Sequence, residues 1–588
     1  MLFKNILSKK GFNLQGLRAI SYVHRSSPDL LLHHTLNDRL RMSRDTFGDK
    51  EFVSFPAQGI NKSYSEFYKD VSNLASGLNA LNFKRGDRIA IWAPNYYEWV
   101  QSQFAASYAG LILVNINPAY KAEELKYSLK AVGVSGVICP ESFLTSNYYE
   151  TMCDIIPSIR NGPLNNGEIN SKEFPDMKHL ITFGQTKSLN GSWSFNDICE
   201  IQSAESKKQI EEIQAKMIFD DVANIQFTSG TTGKPKAVAL THFNIVNNAF
   251  FTKQDWHFKE GQETICMPCP LFHCIGSILG SLLTVVNGGK ICFPSPSFNG
   301  SKTLTTIQDD KCSFVIGTPT MFIDMLRLYD PKEFDIRSLK GLMMGGAPCP
   351  AALCDKLVDA WNVQNIILGY GATELSPGCV MSDLTVPLEE RRKVTGRILP
   401  HLEAGVFDKE GRPVKKGVIG EIYFRGHAVM KEYWNDEEAT KKILGRDRWL
   451  KTGDIGFIDE KETVTLTGRE KDVIICGGEN IYPAEIEQFL LTVPNVVEVQ
   501  VVGVPDARLG EKVCAWVNVN EAGKKIIDEK YIKDFCKDKI AHFKVPHYVT
   551  IKDATQFPRT ASGKVQKFKM IEISAKELGL ENVKSHFS

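Results

Sequence analysis

The sequence predicts an α/β protein with a large N-terminal domain of parallel-sheet βα layers and a small C-terminal α+β domain. From about Leu30 to Gly468, short apolar strands alternate with amphipathic helices, which is typical of parallel sheets. Near residue 469 the pattern changes to strand, charged junction, strand, glycine loop and helix. The 588 residues also exceed one ordinary hydrophobic core, so a second domain is expected after residue 471.

Composition and charge argue against two classes of protein. Hydrophobic residues make up 43% of the chain and charged residues 24%, which is typical of a globular protein. A net charge of +1 argues against nucleic acid as a partner, because nucleic-acid-binding surfaces carry a clustered basic excess. The longest apolar stretch, 275–286, is about half of the ~20 residues that a membrane span needs. We therefore expect no transmembrane segment and a buried helix at this stretch, whereas the oligomeric state is not indicated.

The N-terminal segment has the composition of a mitochondrial presequence. Residues 1–28 contain five Lys or Arg residues, and no acidic residue occurs before Asp29. A basic, acid-free segment with an apolar helical face is typical of import signals. The run "RAISY" (18–22) resembles a processing site cut after Ile20, which predicts a presequence at 1–20 and a location in the mitochondrial matrix. The alternative is a disordered basic tail.

Fourteen cysteines are scattered along the chain, which favours reduced thiols over a disulfide framework. The run "CMPCPLFHC" (266–274) contains a C-x-x-C pair that could begin a zinc site. No second ligand pair follows at a useful spacing. We therefore predict buried thiols and no structural zinc.

Buried strands are predicted in order along the large domain. "GDRIAIWAPN" (86–95), "LILVNINPAY" (111–120) and "FVIGTPTM" (314–321) each contain a short apolar run. Three further strands lead into glycine-containing loops, in "NIQFTSGTTGKPK" (224–236), "LMMGGAP" (342–348) and "IILGYGATE" (366–374). Ligands of parallel sheets bind beyond the carboxyl ends of the strands, so these loops are the candidate site.

The first glycine loop is suited to phosphate. Its residues are Thr228, Ser229, Gly230, Thr231, Thr232, Gly233, Lys234, Pro235 and Lys236. Glycines let backbone N–H groups turn inward, and hydroxyls add donors, so that the loop can form a nest for anions. It is not a Walker A motif, because Pro235 stands where that motif requires Ser or Thr.

Other residues suit a nucleotide and a cation. Tyr370 offers a flat ring for adenine, and Thr373 offers a hydroxyl for phosphate. Glu374 offers hard carboxylate oxygen to Mg²⁺. Asp454, in "LKTGDIG" (450–456), could accept both ribose hydroxyls, and the guanidinium of Arg469 suits phosphate or ribose.

These motifs, together with "PRTASGKVQK" (558–567), resemble the ANL superfamily of adenylate-forming enzymes, in its acyl-CoA synthetase branch. Six motifs occur in the family's order, and the likeness covers nearly the whole chain after the presequence. It implies an N-terminal AMP-binding (adenylation) domain at 30–469 and a C-terminal lid domain at 472–588. Lys471 would be the hinge between them.

The resemblance also implies roles for individual residues. The loop 228–236 would cover the β- and γ-phosphates, Glu374 would hold Mg²⁺, and His273 would lie at the gate for the acyl carboxylate. Lys564, in "TASGK", would be the adenylation lysine. The remaining implied contacts are Gly346, Ala347, Tyr370, Gly371 and Thr373 around the nucleotide, Asp454 and Arg469 at the ribose and phosphate, and Gly477, Gly478 and Glu479 along the CoA channel.

The function implied by the resemblance is ATP- and Mg²⁺-dependent ligation of a medium-chain fatty acid to coenzyme A through acyl-AMP. Fatty acid, ATP and CoA would be the small-molecule substrates. The alternatives are an aryl-acid CoA ligase, a luciferase-like oxidative enzyme and a catalytically silent binding protein of the same fold. Intact Lys564, Glu374 and Asp454 argue against the silent protein.

Overall fold

The computed structural model of the protein describes residues 20–185, 187–201, 203–228, 235–347, 349–477, 479–537, 539–560, 563–581 and 583. Within these residues, three sheets of eight, nine and five strands lie in the first 469 residues, and one sheet of five strands lies after them. A two-stranded ribbon, Ser142–Phe143 with Ser146–Asn147, is attached to the first part.

The first sheet has eight strands and is mainly parallel. In spatial order they are Trp193–Ser194, His179–Phe183, Val134–Pro140, Arg88–Trp92, Ile112–Ile116, Val222–Thr228, Lys236–Thr241 and Glu432–Tyr433. The first six run parallel to their neighbours, and the last two are antiparallel additions. Thr228 pairs with Lys236, so the glycine loop is bracketed by two adjacent strands at the carboxyl end of the parallel set.

The second sheet has nine strands and the same mixed character. In spatial order they are Arg397–Ile398, Gly378–Met381, Asn365–Gly371, Gly341–Gly345, Phe314–Gly317, Thr264–Cys266, Lys290–Cys292, Glu51–Phe55 and Ile60–Ser63. The six central strands are parallel. Their carboxyl ends lead into the loops that begin at residues 267, 318, 346 and 372, which gathers the predicted site motifs at one edge.

A third sheet, wholly antiparallel, was not anticipated from the sequence. Its strands are Tyr22–His24, Leu402–Phe407, Gly420–Gly426, Leu450–Ile458 and Val464–Arg469. The N-terminal strand is anchored by Arg25, whose guanidinium donates two hydrogen bonds of 2.7 Å to the Asp255 carboxylate. The backbone N–H of Ser21 donates to the Val414 carbonyl at 2.8 Å. The chain is therefore part of the folded domain from about Ile20 onward.

The C-terminal sheet forms the centre of the lid. Its strands are Glu479–Ile481, Ile474–Cys476, Gly510–Val519, Val496–Asp506 and Tyr548–Ile551. Helices Pro483–Leu490, Glu529–Cys536 and Lys567–Glu577 accompany it. The first of these begins at Pro483, as the sequence predicts, because proline suits the first helical position. Buried residues of this region form their own two hydrophobic clusters.

The helices of the large domain cover the sheets. They are Leu36–Phe47, Tyr64–Ala80, Tyr97–Tyr108, Ala122–Val132, Tyr148–Ile155, Phe195–Glu200, Ala204–Lys216, His242–Asp255, Leu283–Asn287, Gly300–Asp309, Pro319–Leu328, Ala351–Trp361, Leu388–Arg391 and Glu437–Ile443. The predicted buried helix near residue 275 is a π-helix, Ile275–Leu282, that continues into Leu283–Asn287. One large hydrophobic core includes residues of all three sheets. In the part of the chain that the structure describes, no helix is long and apolar enough to cross a bilayer.

Candidate active site

The predicted ribose-binding residues form one hydrogen-bonded cluster. The phenol of Tyr370 donates to Oδ2 of Asp454 at 2.5 Å, and Nε of Arg469 donates to Oδ1 at 3.0 Å. Asp454 and Arg469 are paired on neighbouring strands of the third sheet, while Tyr370 comes from the second sheet. Burial, followed by the Asp454 charge, raises the pKa of Tyr370 well above its usual range. The phenol therefore stays protonated and continues to donate to the carboxylate.

The carboxylate predicted to hold a cation is supported by a residue that sequence reasoning missed. The Tyr433 phenol donates to Oε1 of Glu374 at 2.7 Å. The ammonium of Lys236 lies 4.8 Å from the centre of the Tyr433 ring. No ion-pair partner of Glu374 occurs among the residues described, which leaves its second oxygen for a cation. One carboxylate oxygen with a fixed orientation fits Mg²⁺, which keeps most of its waters.

Close packing explains two of the predicted glycines. A Cβ on Gly371 would lie 1.8 Å from the Pro377 carbonyl oxygen, so only glycine fits between these strands. Gly346 has a φ of +80°, a left-handed conformation that favours glycine. A Cβ there would lie 3.4 Å from Cδ1 of Ile275, so the Gly346–Ala347 loop faces the segment that contains His273.

His273 lies between the nucleotide-facing loops and the lid. Its neighbour Cys274 contacts the Thr373 hydroxyl, with 3.8 Å between sulfur and oxygen. Burial lowers the pKa of His273 to about 4, with a smaller contribution from the charge of Lys564. The imidazole is thus neutral at pH 7, and the ammonium of Lys564 is close enough to affect it.

Lys564 lies in a tight turn of the C-terminal domain, near His273. The Thr560 N–H donates to the Lys564 carbonyl at 2.8 Å, and Gly563 has a φ of +82°. A Cβ on Gly563 would lie 3.3 Å from the Thr320 hydroxyl, so the turn touches the large domain. The Lys564 residue is exposed to solvent, and partial desolvation of its ammonium, followed by the charge of Arg469, lowers the pKa of that group.

The predicted hinge and CoA-channel residues lie at the junction between the two domains and at the first two strands after it. Lys471 is in a short 3₁₀ turn, Glu470–Asp472, between the last strand of the third sheet and the first strand of the C-terminal sheet. Gly477 has a φ of +61° and follows the strand Ile474–Cys476, and Glu479 begins the returning strand. Lys471 lies close enough to Lys564 for its charge to lower the pKa of that ammonium. The predicted roles of the hinge and CoA-channel residues stay predictions.

Seven predicted contacts lie outside the described residues. They are Ser229, Gly230, Thr231, Thr232, Gly233, Lys234 and Gly478. The described ends of the first loop are half-buried and consist of Thr228 before it and Pro235 and Lys236 after it. The Pro235 carbonyl accepts a hydrogen bond from the Tyr127 phenol at 3.2 Å. Residues 1–19 of the predicted presequence also lie outside the described part.

The cysteines of "CMPCPLFHC" do not face one another. The thiol of Cys269 is near the Ile316 carbonyl, that of Cys274 is near Thr373, and Cys266 lies near Cys312. Burial raises the pKa of both Cys269 and Cys274 to about 12, so these thiols stay protonated. Within the described residues, no group of three His, Cys, Asp or Glu side chains is placed to hold a metal ion.

Two functional candidates could not be found from the sequence. Tyr433 lies in "KEYWNDEEAT" (431–440), which contains no local signal for a role near Glu374. Arg559 lies inside "PRTASGK", but its contacts become visible only in three dimensions. The candidate site therefore combines a carboxylate for ribose, a carboxylate for a cation, a neutral histidine and two cationic side chains, Arg469 from the large domain and Lys564 from the C-terminal domain. Such a set can bind a nucleotide and neutralise charge during phosphoryl transfer.

Comparisons with known proteins agree with this geometry. The sequence profile of the AMP-binding enzyme family matches residues 40–434, and the profile of the AMP-binding enzyme C-terminal domain matches residues 485–564. The mitochondrial medium-chain acyl-CoA ligase ACSF2 of Danio rerio is 43% identical over 564 residues, which cover 95% of this chain and 91% of that protein. The Mus musculus protein of the same name is 38% identical over 566 residues, with the same coverage of 95% and 91%.

Solved structures share the fold. ATP-bound MatB from Rhodopseudomonas palustris has a TM-score of 0.78 at 26% identity, covering 93% of this chain and 100% of that chain. The predicted α/β fold with a large N-terminal and a small C-terminal domain is confirmed. The family resemblance read from the motifs is confirmed as well. The protein belongs to the AMP-binding enzyme family, within the ANL superfamily of adenylate-forming enzymes.

Proposed function

We propose that the protein ligates a medium-chain fatty acid to coenzyme A in two steps, through an acyl-AMP intermediate. The first step uses ATP and releases pyrophosphate, and the second uses CoA and releases AMP. The observation that carries the proposal is the convergence of Lys564 with His273 and Arg469 at the cleft beside Asp454. The activity named for the ACSF2 relatives supports the choice of a medium-chain acid.

The chemistry of the first step requires charge neutralisation. A carboxylate oxygen attacks the α-phosphorus of ATP, and the bond from phosphorus to the bridging oxygen of pyrophosphate breaks. Two anions must approach each other, so cations and N–H donors at the reacting oxygens provide most of the catalysis. Lys564 would lie between the acyl carboxylate and the α-phosphate. Asp454 would hold the ribose hydroxyls, and Arg469, held by Asp454, would face the ribose and phosphate side.

Glu374 would hold Mg²⁺, which neutralises phosphate charge when it is bound. The contact from the Tyr433 phenol holds one carboxylate oxygen, and the other oxygen would bind the cation. His273 is neutral and would border the carboxylate end of the acid without adding charge. Lys236 would add a cation at the end of the phosphate-facing loop.

The second step needs a different face of the lid. CoA's thiol attacks the acyl carbonyl, the bond to the AMP oxygen breaks, and AMP leaves with the electron pair. We propose that the lid turns about Lys471, so that Gly477, Gly478 and Glu479 line the entry path of the CoA chain. Lys564 has no further task once acyl-AMP has formed.

The protein would act in mitochondria, in the matrix. The basic segment before Asp29 and the mitochondrial relatives support this location.

A panel of acids tests the proposal. Purified protein with ATP, Mg²⁺ and CoA should release AMP with fatty acids of about six to twelve carbons, at rates above those with benzoate or long-chain acids. The reason is that each methylene buried in an acyl site of fixed depth adds binding free energy until the site is filled. Preference for benzoate would favour the aryl-acid ligase instead. Absence of AMP release with every acid, in the presence of ATP binding, would favour the silent binding protein.

A further inference from the structure

The turn that carries Lys564 is fixed by an arginine with two acceptors. Nη1 of Arg559 donates to the Gly563 carbonyl at 3.0 Å, and Nη2 donates to Oε1 of Glu498 at 2.5 Å. Gly563 directly precedes Lys564. The planar fork of a guanidinium can hold two acceptors in a fixed relation, which an ammonium cannot do. The Glu498–Arg559 pair therefore determines where the backbone of the turn lies.

The rest of the turn is closed by hydrogen bonds between its own residues. The Gly563 N–H donates to the Thr560 carbonyl at 2.9 Å, and the Lys564 N–H donates to the Thr560 hydroxyl at 3.1 Å. These bonds shape the loop but do not attach it to the lid sheet. Glu498 is in the long strand Val496–Asp506, with 15% of its side chain exposed. The Glu498 carboxylate is thus the partner through which Arg559 links the turn to a rigid strand, and Lys567, three residues after Lys564, also donates to the Val501 carbonyl of that strand at 3.0 Å.

The same turn meets one helix of the large domain. Thr320, in the helix Pro319–Leu328, lies next to Gly563, because a Cβ added to that glycine would be 3.3 Å from the Thr320 hydroxyl. One turn further along, Asp324 is close enough to Arg559 to be affected by its charge. Burial raises the pKa of Asp324, and the charges of Arg327 and Arg559 oppose that rise. Arg559 therefore lies between a lid carboxylate and a carboxylate of the large domain.

We propose that Glu498 and Arg559 are positioning residues for Lys564 in the first half-reaction. Glu498 orients Arg559, which holds the Gly563 carbonyl and so places the Lys564 backbone against Thr320, with the ammonium in the cleft. This inference rests on the proposed function, in which Lys564 neutralises the acyl carboxylate and the α-phosphate. It does not extend to thioester formation, where Lys564 has no task.

The physical reason is that lysine is flexible. Its four-carbon side chain has many rotamers, so the ammonium reaches a reacting oxygen reliably only if its backbone is held. A misplacement of about 1 Å at a reacting centre can lower the rate by ~100-fold. Loss of the Arg559 guanidinium should therefore lower the rate of the first half-reaction about as much as loss of Lys564 does.

Three variants test the network in the full-length protein. Arg559→Met removes charge and fork, Arg559→Lys keeps the charge without the fork, and Glu498→Gln leaves a neutral acceptor. Fatty-acid-dependent ATP–pyrophosphate exchange should fall by ~100-fold in both Arg559 variants and by ~10-fold in Glu498→Gln, from misplacement of the reacting group. Conversion of supplied acyl-AMP and CoA to thioester should match wild type in all three, which also shows that they fold.

The matched control is Glu529→Gln. It removes an exposed lid ion pair, Glu529 with Lys533 at 2.6 Å, that is separate from the Lys564 turn. Both half-reactions should be unchanged, since exposed ion pairs of this kind contribute little.

A double-mutant cycle with Lys564→Ala decides whether Arg559 acts through Lys564. If it does, Arg559→Met should cause no further loss of exchange in the Lys564→Ala background, because the two residues act as a unit. A further loss, or equal loss of both half-reactions in Arg559→Met, would overturn the inference. Retention of the wild-type exchange rate by both Arg559 variants would overturn it too. Wild-type protein that shows no fatty-acid-dependent exchange would instead contradict the proposed function.

Discussion

The phenol of Tyr433 donates a hydrogen bond of 2.7 Å to Oε1 of Glu374, and the same ring lies beneath the ammonium of Lys236. One tyrosine thus joins the carboxylate proposed to hold Mg²⁺ to the end of the loop proposed to cover phosphate. Burial, followed by the Glu374 charge, raises the pKa of this phenol far above its usual range, so that it remains a donor.

Tyr433→Phe should raise the Mg²⁺ concentration needed for half-maximal pyrophosphate exchange. The ring and its contact with Lys236 stay, but Glu374 loses its orienting donor, and loss of a supporting partner of a metal ligand typically weakens metal affinity by ~10-fold or more. The measurement is exchange rate against free Mg²⁺ at fixed ATP.

Tyr64→Phe is the control for that experiment. It also removes a buried phenol, one that donates to the carbonyls of Gly289 and Thr284, away from the cleft. Both variants should lose about 1 kcal/mol of stability, the usual value of one hydrogen bond. An equal Mg²⁺ requirement in the two variants would show that Tyr433 has only a structural role.

Lys564→Ala should separate the two half-reactions. Acid-dependent pyrophosphate exchange should fall by ~100-fold or more to a small residual rate, because the approach of carboxylate to phosphate is no longer neutralised. Supplied acyl-AMP and CoA should still give thioester. Comparable loss in both assays would mean that the role of Lys564 is wrongly described.

Lys471→Pro should block the second half-reaction. Proline fixes φ near −65° and removes an N–H, so the turn Glu470–Asp472 could no longer take two conformations. We expect pyrophosphate exchange to persist while thioester formation from acyl-AMP collapses. Lys471→Ala, which keeps the backbone free, should support both steps, and equal thioester rates in the proline variant and wild type would remove the hinge.

Stability should fall as the pH drops from about 6.5 to about 4. Burial lowers the pKa of His242 and of His427 to about 4, as it does for His273, whereas unfolded histidine titrates near 6.5. Over this range the unfolded chain binds more protons than the folded one, so acid favours unfolding. The stabilisation is complete above 6.5 and is lost as the pH approaches 4.

His242→Asn should reduce that acid sensitivity. The Leu36 N–H donates to Nδ1 of His242 at 3.2 Å, and an asparagine oxygen can replace this acceptor without binding a proton. The free energies of unfolding from urea titrations at pH 7.5, 6 and 5 should therefore differ less than in wild type, by up to about 2 kcal/mol for one histidine. Tyr64→Phe, which removes no proton-binding group in this range, should lower the free energy of unfolding by the same amount at all three pH values. An equal change of unfolding free energy with pH in wild type and in His242→Asn would contradict the prediction.

The protein isolated from mitochondria should begin near Ser21. Cleavage after Ile20 would convert the Ser21 amide into an α-ammonium group that can still donate to the Val414 carbonyl, and it would keep the pair of Arg25 with Asp255. N-terminal sequencing is the measurement. An intact Met1 in cellular protein would contradict import with processing, and a start beyond His24 would contradict the retention of the first strand.

Much of the fold could be predicted because its parallel strands are local, apolar runs. The strands Arg88–Trp92, Ile112–Ile116 and Phe314–Gly317 lie within the predicted segments. The third sheet could not be predicted, because its strands are half-polar and one of them comes from the N-terminus. Their pairing depends on partners far along the chain, for which a single sequence holds no periodic signal.

The residues of the candidate site, too, could be predicted only in part. Asp454, Arg469 and Glu374 were found because their motifs occur in a fixed order, and the structure pairs Arg469 with Asp454 and places Glu374 near enough for its charge to act on Arg469. Tyr433 and Arg559 were missed because a tyrosine and an arginine are common surface residues without such contacts. Only the hydrogen bonds to Glu374 and to the Gly563 carbonyl distinguish them.

The edge strand Tyr22–His24 constrains the order in which the chain can fold. Its partner Glu403, which accepts from the Tyr22 phenol, follows 381 residues later. A chain that emerges N-terminus first, from a ribosome or a translocation channel, presents this strand long before its partner exists. Contacts of such separation form late, and the waiting strand stays open to wrong pairing. The strand can therefore be paired only after residues Leu402–Phe407 have emerged, and an N-terminal fragment that ends before them would carry an unpaired strand.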